Sequence, residues 1–321
     1  MTQPQLKIFF NEELHKYTDD LGNTYTSATT VIGKYEIPFD TDAMAKACSR
    51  KYWNVTGHRY HRMTVAQIKA DWVDINKTAC DKGNMKHNYL EDAINASNGY
   101  KKIANSTFIN DRIYLIPDII ANHNYGQVDA SSPLMLALQE RYPIIFNTIV
   151  YYLNRGFKFY AEIGVYDIHN RLISGLIDLL LINHDTKEFK IVDWKTNKNE
   201  LHFSAGYFKR DKQGNDTSVW VAQPHKRLKY PLHGIQDCHG SIYTLQLSLY
   251  AHLVEQFGYT NTGIYLFHIR ERTIIGIGGE EEVEEFVKHH VIDFWKYDVE
   301  RMIQHHYDSN KATLNTQRKL F

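Results

Sequence analysis

Asp178 is a lone carboxylate inside the run LISGLIDLLLI, residues 172–182. An ionised carboxylate among apolar side chains is costly unless a cation or hydrogen-bond donors reach it, so the fold has to deliver a partner to this position. The run is the middle one of three β-rich segments between residues 157 and 194: FKFYAEIGVYDI, RLISGLIDLLLI and EFKIVDW. His-Asn and His-Asp-Thr-Lys turn chemistry separates them, and the pattern predicts an antiparallel meander.

The second hairpin of this meander can be registered from its turn. If Asp185 and Thr186 form a two-residue loop, residue i faces residue 371 minus i, and Asp178 falls opposite Asp193. Directly opposed side chains share one sheet face, with β-carbons about 4.5–5.5 Å apart. Lys195, two residues beyond Asp193, projects from that same face. Two carboxylates about 5 Å apart repel by roughly 3 kcal/mol at an effective dielectric near 20, which makes a hard divalent cation their natural guest. Mg²⁺ or Mn²⁺ suits carboxylate oxygens, keeps water in its remaining positions and can direct it at phosphorus. Lys195 would orient that water or stabilise charge growing on the phosphorane. An Asp-x-Lys by itself is an ordinary strand ion pair; the apolar setting of Asp178 sets this one apart. Glu162, on the preceding strand, faces Asp178 if the loop near residue 170 has three residues. A two-residue loop would leave it a surface or structural role.

Around this centre the chain alternates strand and helix signals. Residues 7–26 (KIFFNEELHKYTDDLGNTYT) read as a β-hairpin about Asp-Asp-Leu-Gly-Asn, with Ser27 and Thr29 as helix-cap candidates. Residues 40–98 are mostly helical, broken by a polar turn near Gly57, and DINKTACDKGNMKHNYLEDAINA carries Ala79, Leu90 and Ile94 at helical spacing. Residues 99–145, interrupted by Pro117, Gly126, Pro133 and Pro143, read as an insertion, and 197–240 as a polar excursion from the core. YTLQLSLYAHLVEQFG is helical, GIYLFHI strand-like, residues 280–307 a helix, and 308–321 a mobile polar tail. The expected organisation is an amino-terminal hairpin and helical region at 1–75 and a core at 76–307.

Composition narrows the class. With 321 residues, 43% hydrophobic and 23% charged, the chain has material for one large domain or two modest ones. Its 37 basic and 37 acidic residues cancel, so a nucleic-acid surface would have to be local. Cys48, Cys80 and Cys238 are scattered without a CxxC pair, which suits a reducing compartment. MTQPQLKIFFNEELHK carries charges where a signal peptide needs an apolar run, and no stretch approaches the ~18 apolar residues of a span. The expectation is a soluble cytoplasmic protein, in the host cytoplasm if phage-encoded, with no membrane partner.

In order, ISGLIDLLL, IVDWKT and LQLSLY resemble the RecB-type exonuclease branch of the PD-(D/E)XK nuclease superfamily. That branch carries an aspartate after Gly-x-Ile, an Asp-x-Lys-Thr on the next strand and a Gln-x-x-x-Tyr on the following helix. Here these are Asp178; Asp193, Lys195 and Thr196; and Gln246 with Tyr250. GNMKHNYLE resembles the family's Gly-x-x-x-His-x-x-x-Glu helix, with His87 and Glu91 four apart on one face. HKYTDDLGNTYTSATTVI is similar to the amino-terminal segment of phage-type members. The resemblance implies an α/β restriction-endonuclease-like core, a mixed central sheet flanked by helices, and metal-assisted hydrolysis of DNA leaving 5′-phosphate and 3′-hydroxyl ends. It makes His87 a further metal ligand beside Asp178 and Asp193, with Glu162 a lesser candidate from the register of its strand. It also sets Gln246 and Tyr250 at the active-site mouth. Three scattered cysteines cannot furnish the four that an iron-sulfur branch needs, so no cluster is expected. No Gly-x-x-x-x-Gly-Lys-Ser/Thr loop is present, so any motor would be a separate helicase, or the partner a recombinase.

Two local basic excesses are candidate DNA contacts. KACSRKYWNVTGHRYHR carries Lys46, Arg50, Lys51, Arg59 and Arg62 with no acid, interleaved with Tyr52, Trp53 and Tyr60, a composition suited to single-stranded or frayed ends. The excursion adds Lys209, Arg210, Lys212, Lys226, Arg227 and Lys229. The expected function is exonuclease action in recombination, repair or phage DNA processing. Structure-specific endonuclease action is the near alternative, and a catalytically idle DNA-binding or assembly subunit the rival from another class.

Overall fold

The computed structural model describes residues 6–11, 14, 16–95, 111–121, 125–170, 172–211, 216–275 and 280–318. In chain order the elements are β1 (Ile8–Asn11), β2 (Lys16–Asp19), β3 (Thr24–Ser27), α1 (Ala28–Gly33), α2 (Thr41–Tyr52), α3 (Val65–Asn95) and β4 (Asp111–Arg112). There follow α4 (Ile116–Ala121), α5 (Pro133–Arg141), α6 (Pro143–Leu153), β5 (Lys158–Tyr166), β6 (Ile173–Asn183) and β7 (Glu188–Lys195). The remainder is β8 (Gly206–Arg210), β9 (Asp216–Ala222), α7 (His239–Glu255), β10 (Thr260–Ile275), β11 (Glu281–Val291) and α8 (Lys296–Arg318). Among the described residues no helix is long and apolar enough to cross a membrane.

The architecture is α/β, with a mixed central sheet flanked by helices. Its nine strands run in the order β11-β10-β7-β6-β3-β2-β1-β4, with β5 paired to β6 off this path. The pairs β10–β7 and β3–β6 are parallel, and the others antiparallel. The meander β5–β6–β7 forms as its alternation predicts. Pairs such as Leu179↔Val192 and Leu181↔Lys190 obey the 371 register, although the connecting loop has four residues, 184–187, rather than two. Its last residue, Lys187, takes a left-handed backbone with φ of 59°, which widens the turn without moving its centre.

The two edges of β6 are shared out unequally among its neighbours. β5 pairs along one edge from Ser174 to Ile182. On the other edge β7 holds Leu179–Asn183, and β3 holds only Ile173 and Ser174. Residues 175–178 therefore lie where two neighbouring strands part, and a strand edge opened this way can receive side chains instead of a ladder.

Two compact units are distinguishable. The first comprises Met1–Lys34, Lys86–Glu200 and Ile242–Phe321, and holds the large sheet. One apolar cluster in it joins Leu179, Leu181, Val192, Trp194, Phe267 and Ile269 of the sheet to Leu90, Ala93 and Ile94 of α3 and to α5 and α6. Pro133 and Pro143, which interrupt the sequence pattern, each open a helix, where a missing N–H costs nothing. Residues 99–110 and 122–124 of the expected insertion lie outside the described residues. The second unit, Tyr35–Met85 with Leu201–Ser241, contains α2, most of α3 and the β8–β9 hairpin.

Three local expectations need correction. The amino-terminal hairpin is a three-stranded meander, because β1 also pairs antiparallel with β2. The stretch read as a helix from residue 280 is a strand, β11, matched residue for residue with β10 from Tyr265↔Val291 to Ile275↔Glu281. Its glutamates are tolerated because it is the edge strand, where charged side chains reach water. The carboxy-terminal helix starts only at Lys296 and continues through the expected tail to Arg318. Ser27 does cap α1, its side chain accepting from the Thr30 N–H, while Thr29 lies inside the helix.

Candidate active site

Asp178, Asp193 and Lys195 converge at the opening in the β6 edge. Asp178 Oδ2 accepts a 3.0 Å hydrogen bond from the main-chain N–H of Trp194, so a side chain substitutes for the ladder one residue past its last pair. Asp193 is 1% exposed, and its Oδ2 lies 2.6 Å from Lys195 Nζ. No well-aligned hydrogen-bond donor meets that oxygen among the described residues. Burial pushes the Asp193 carboxyl well above the usual carboxylate range; Lys195 opposes this and the neighbouring charge of Asp178 adds to it. Burial also works against the ammonium of Lys195, but Asp193 and Asp178 outweigh it and hold the amine above its ordinary value. The site is thus a largely enclosed cluster of two carboxyl groups and one ammonium, in which Lys195 offsets the charge that burial makes costly.

The helix motif reaches the same place. His87, on the second half of α3, sets Nδ1 3.6 Å from Asp178 Oδ2. Glu91, one turn on, is buried at 7% exposure and accepts from Asn95 Nδ2 at 3.3 Å. On β5, the pairs Ala161↔Leu179 and Ile163↔Ile177 flank Glu162 and set it across from Asp178, the outcome of the longer-loop alternative. Glu162 adopts φ of 52°, a conformation rare for a non-glycine residue, at the point where the ladder is interrupted. Its charge is felt by Tyr17 of β2, whose phenol is raised mainly by burial and secondarily by Glu162.

From α7, Tyr250 closes the site from within rather than standing at its mouth. It is 4% exposed, and a Cβ at Gly175 would come within 2.6 Å of its Cε1. The glycine of the Ser-Gly-Leu-Ile-Asp run is therefore the space that Tyr250 occupies. Gln246 Nε2 donates to the Tyr250 hydroxyl at 3.2 Å, so its amide is engaged with the tyrosine rather than with the lysine. Burial raises the Tyr250 phenol far enough to keep it protonated.

One residue escaped sequence reasoning. Tyr243 lies under Lys195, with Nζ 4.9 Å from the ring centroid, and its hydroxyl donates to Asn197 Oδ1 at 2.9 Å. Its spacing held the clue: Tyr243, Gln246 and Tyr250 stand at i, i+3 and i+7, one face of a helix.

Among the described residues, no three of His, Cys, Asp or Glu are grouped tightly enough to cage a metal ion. The donor chemistry nevertheless fits Mg²⁺ or Mn²⁺, which need only one or two carboxylates and complete their shells with water. Asp193, whose Oδ2 is held by Lys195 alone among the described residues, and the adjacent Asp178 supply such a pair. His87 Nδ1 lies 3.6 Å from Asp178 Oδ2, and Glu162 stands opposite Asp178 in the β5–β6 register.

The basic stretches fall in the second unit. Counted over the sequence, that unit has fourteen Lys and Arg against nine Asp and Glu, while the rest of the chain has twenty-three against twenty-eight. Global neutrality thus conceals a basic unit. Arg50, Lys51, Arg62, Lys209 and Arg210 are exposed or half-exposed, and Trp53 is 42% exposed beside the first two in sequence. Arg59 differs, being held by Asp71 at 2.6 Å. Tyr52 is buried, stacked on His58 at 3.5 Å, and Tyr60 is tied to Trp72 through a 2.7 Å hydrogen bond. Of the interleaved aromatics, only Trp53 is well exposed. Lys212 lies outside the described residues.

Compared with protein-family models, with curated proteins and with solved structures, the chain matches none.

Proposed function

We propose that this protein is a divalent-metal-dependent DNA nuclease built on a restriction-endonuclease-like core. The carrying observation is the meeting of Asp178, Asp193 and Lys195 where β3 and β7 part along β6. A metal-dependent phosphodiester hydrolase can use carboxylates to hold a cation and a fixed ammonium to stabilise charge at phosphorus, and the opened strand edge brings these groups together here. The motif order Asp, Asp-x-Lys, Gln-x-x-x-Tyr supports the same reading.

The chain's own groups divide the work. Asp178 and Asp193 would hold the ion, with His87 and Glu162 as bordering ligands. Mg²⁺ or Mn²⁺, when bound, supplies Lewis-acid chemistry at phosphorus. Lys195 keeps its proton, so its ammonium stabilises negative charge growing on the phosphoryl oxygens. Asp178 is fixed by the Trp194 N–H and cannot swing away when the substrate arrives. Tyr250, protonated and packed on Gly175, keeps the opened edge from collapsing. The basic second unit supports DNA as the polyanion held during the reaction, with exonuclease action on linear ends as the mode.

The test compares linear and circular DNA incubated with Mg²⁺, Mn²⁺ or EDTA, using wild type and Lys195→Ala. Metal-dependent loss of linear DNA, abolished by EDTA and by the substitution, is expected. Cleavage of circles would shift the reading to an endonuclease, and DNA binding without any cleavage to an idle fold that serves as an assembly subunit.

A further inference from the structure

Lys195 is the last residue of β7, and nothing in the strand ladder beyond it fixes its side chain. Its only carboxylate within ion-pair distance among the described residues is Asp193, at 2.6 Å. A long amine held from one side alone would keep much of its rotamer freedom. The second side is closed by α7. The ring of Tyr243 presents its negative face to the ammonium at 4.9 Å.

That ring is itself anchored. The Tyr243 hydroxyl donates to Asn197 Oδ1 at 2.9 Å, two residues beyond the lysine. The carbonyl of Asn197 accepts from His268 Nε2 at 2.8 Å. His268 is fully buried on β10 and stands beside Lys195 in the parallel register. The connections form a closed circuit: lysine, tyrosine, asparagine, histidine and back across the sheet to the lysine. It ties α7, β10 and the exit of β7 to one ammonium group.

We infer that Tyr243 is a positioning residue for Lys195, its ring fixing the ammonium beside the two carboxylates and its hydroxyl locking the exit of β7 through Asn197. The kinetic consequence rests on the hydrolase reading; the positioning itself does not. The aromatic face is the essential part, and the hydroxyl tightens it.

The experiment uses the full-length protein with Tyr243→Leu, which removes the ring, and Tyr243→Phe, which keeps it. Amine acetylation followed by peptide mass spectrometry reads the reactivity of Lys195 against exposed Lys77 as internal reference. Tyr243→Leu should raise Lys195 labelling about tenfold, the equivalent of one strong cation–π interaction, and Tyr243→Phe by no more than about twofold. In cleavage assays the leucine variant should lose about tenfold or more in kcat with KM little changed, since the ammonium acts in the transition state, and phenylalanine should restore most of it. If the leucine variant does not fold, as judged by circular dichroism, Tyr243→Gln carries the same expectations. Unchanged Lys195 labelling in the ring-deleted variant overturns the inference. A KM effect without a kcat effect overturns its kinetic part. Raised labelling in a protein that cleaves no DNA would sustain the positioning and sink the hydrolase reading instead.

Discussion

Asp178 and Trp194 are joined by a 3.0 Å hydrogen bond from a main-chain N–H to a carboxylate oxygen, at the residue where β6 and β7 stop pairing. The sheet edge is thus finished by the same side chain that faces Asp193. Under the proposed function, structural and chemical roles coincide in one carboxylate, and substitutions can separate them.

Asp178→Asn keeps an acceptor oxygen for the Trp194 N–H while removing a charge from the crowded pair. Folding stability in EDTA should stay within about 1 kcal/mol of wild type, because the hydrogen bond survives and repulsion is relieved. DNA cleavage should nevertheless disappear. Asp178→Ala, which strands the Trp194 N–H, should cost about 1–3 kcal/mol in urea unfolding as well as activity. A cleavage-competent asparagine variant would remove Asp178 from the chemistry.

Gly175→Ala places a methyl group where Tyr250 already sits, 2.6 Å from its ring. Overpacking of this kind costs about 1–3 kcal/mol and pushes Tyr250 off its seat. Thermal or urea unfolding reads the loss directly. Combining Gly175→Ala with Tyr250→Leu should recover part of that stability, since the smaller, flexible side chain vacates the ring position.

Replacing Arg50, Lys51 and Arg62 together by alanine should weaken DNA binding measured in EDTA. The slope of log affinity against log salt should fall by about 2–3, close to one for each phosphate no longer neutralised. Arg59→Ala should do less, because Asp71 already occupies that guanidinium at 2.6 Å. Equal effects from Arg59 and from the other three would argue for a diffuse field rather than a contact face.

His306, 2% exposed on α8, is pushed down to about 4 by burial and by the nearby ammonium of Lys34, whose Nζ lies 3.3 Å from Nδ1. The folded state thus prefers the neutral ring. Stability from this site is complete above the unfolded-state value near 6.5 and drains away as pH falls from about 6.5 to about 4. The loss over that window should be on the order of 3 kcal/mol. His306→Asn should flatten that part of the stability profile while lowering stability at neutral pH.

Much of the site was legible because its signals are local. The alternation of β6 and β7 and the turn between them fixed Asp178 against Asp193, and a loop of four residues kept the centre that two would have had. Lys195 followed from period two, whereas His87 came from the resemblance of GNMKHNYLE to a family helix motif. The helix expected from residue 280 failed for the opposite reason. Glu281–Val291 has little intrinsic strand preference and becomes a strand by pairing with β10.

The sequence alone therefore determined which residues face one another across the β6–β7 hairpin, since short-range periodicity and turn chemistry decide that without help from the rest of the chain. Only the tertiary structure decided that β3 and β7 share one edge of β6 and leave it open at Gly175–Asp178, and that Tyr243 lies under Lys195. Those relationships join segments far apart in sequence. Packing and loop closure set them, and neither leaves a periodic mark along the chain.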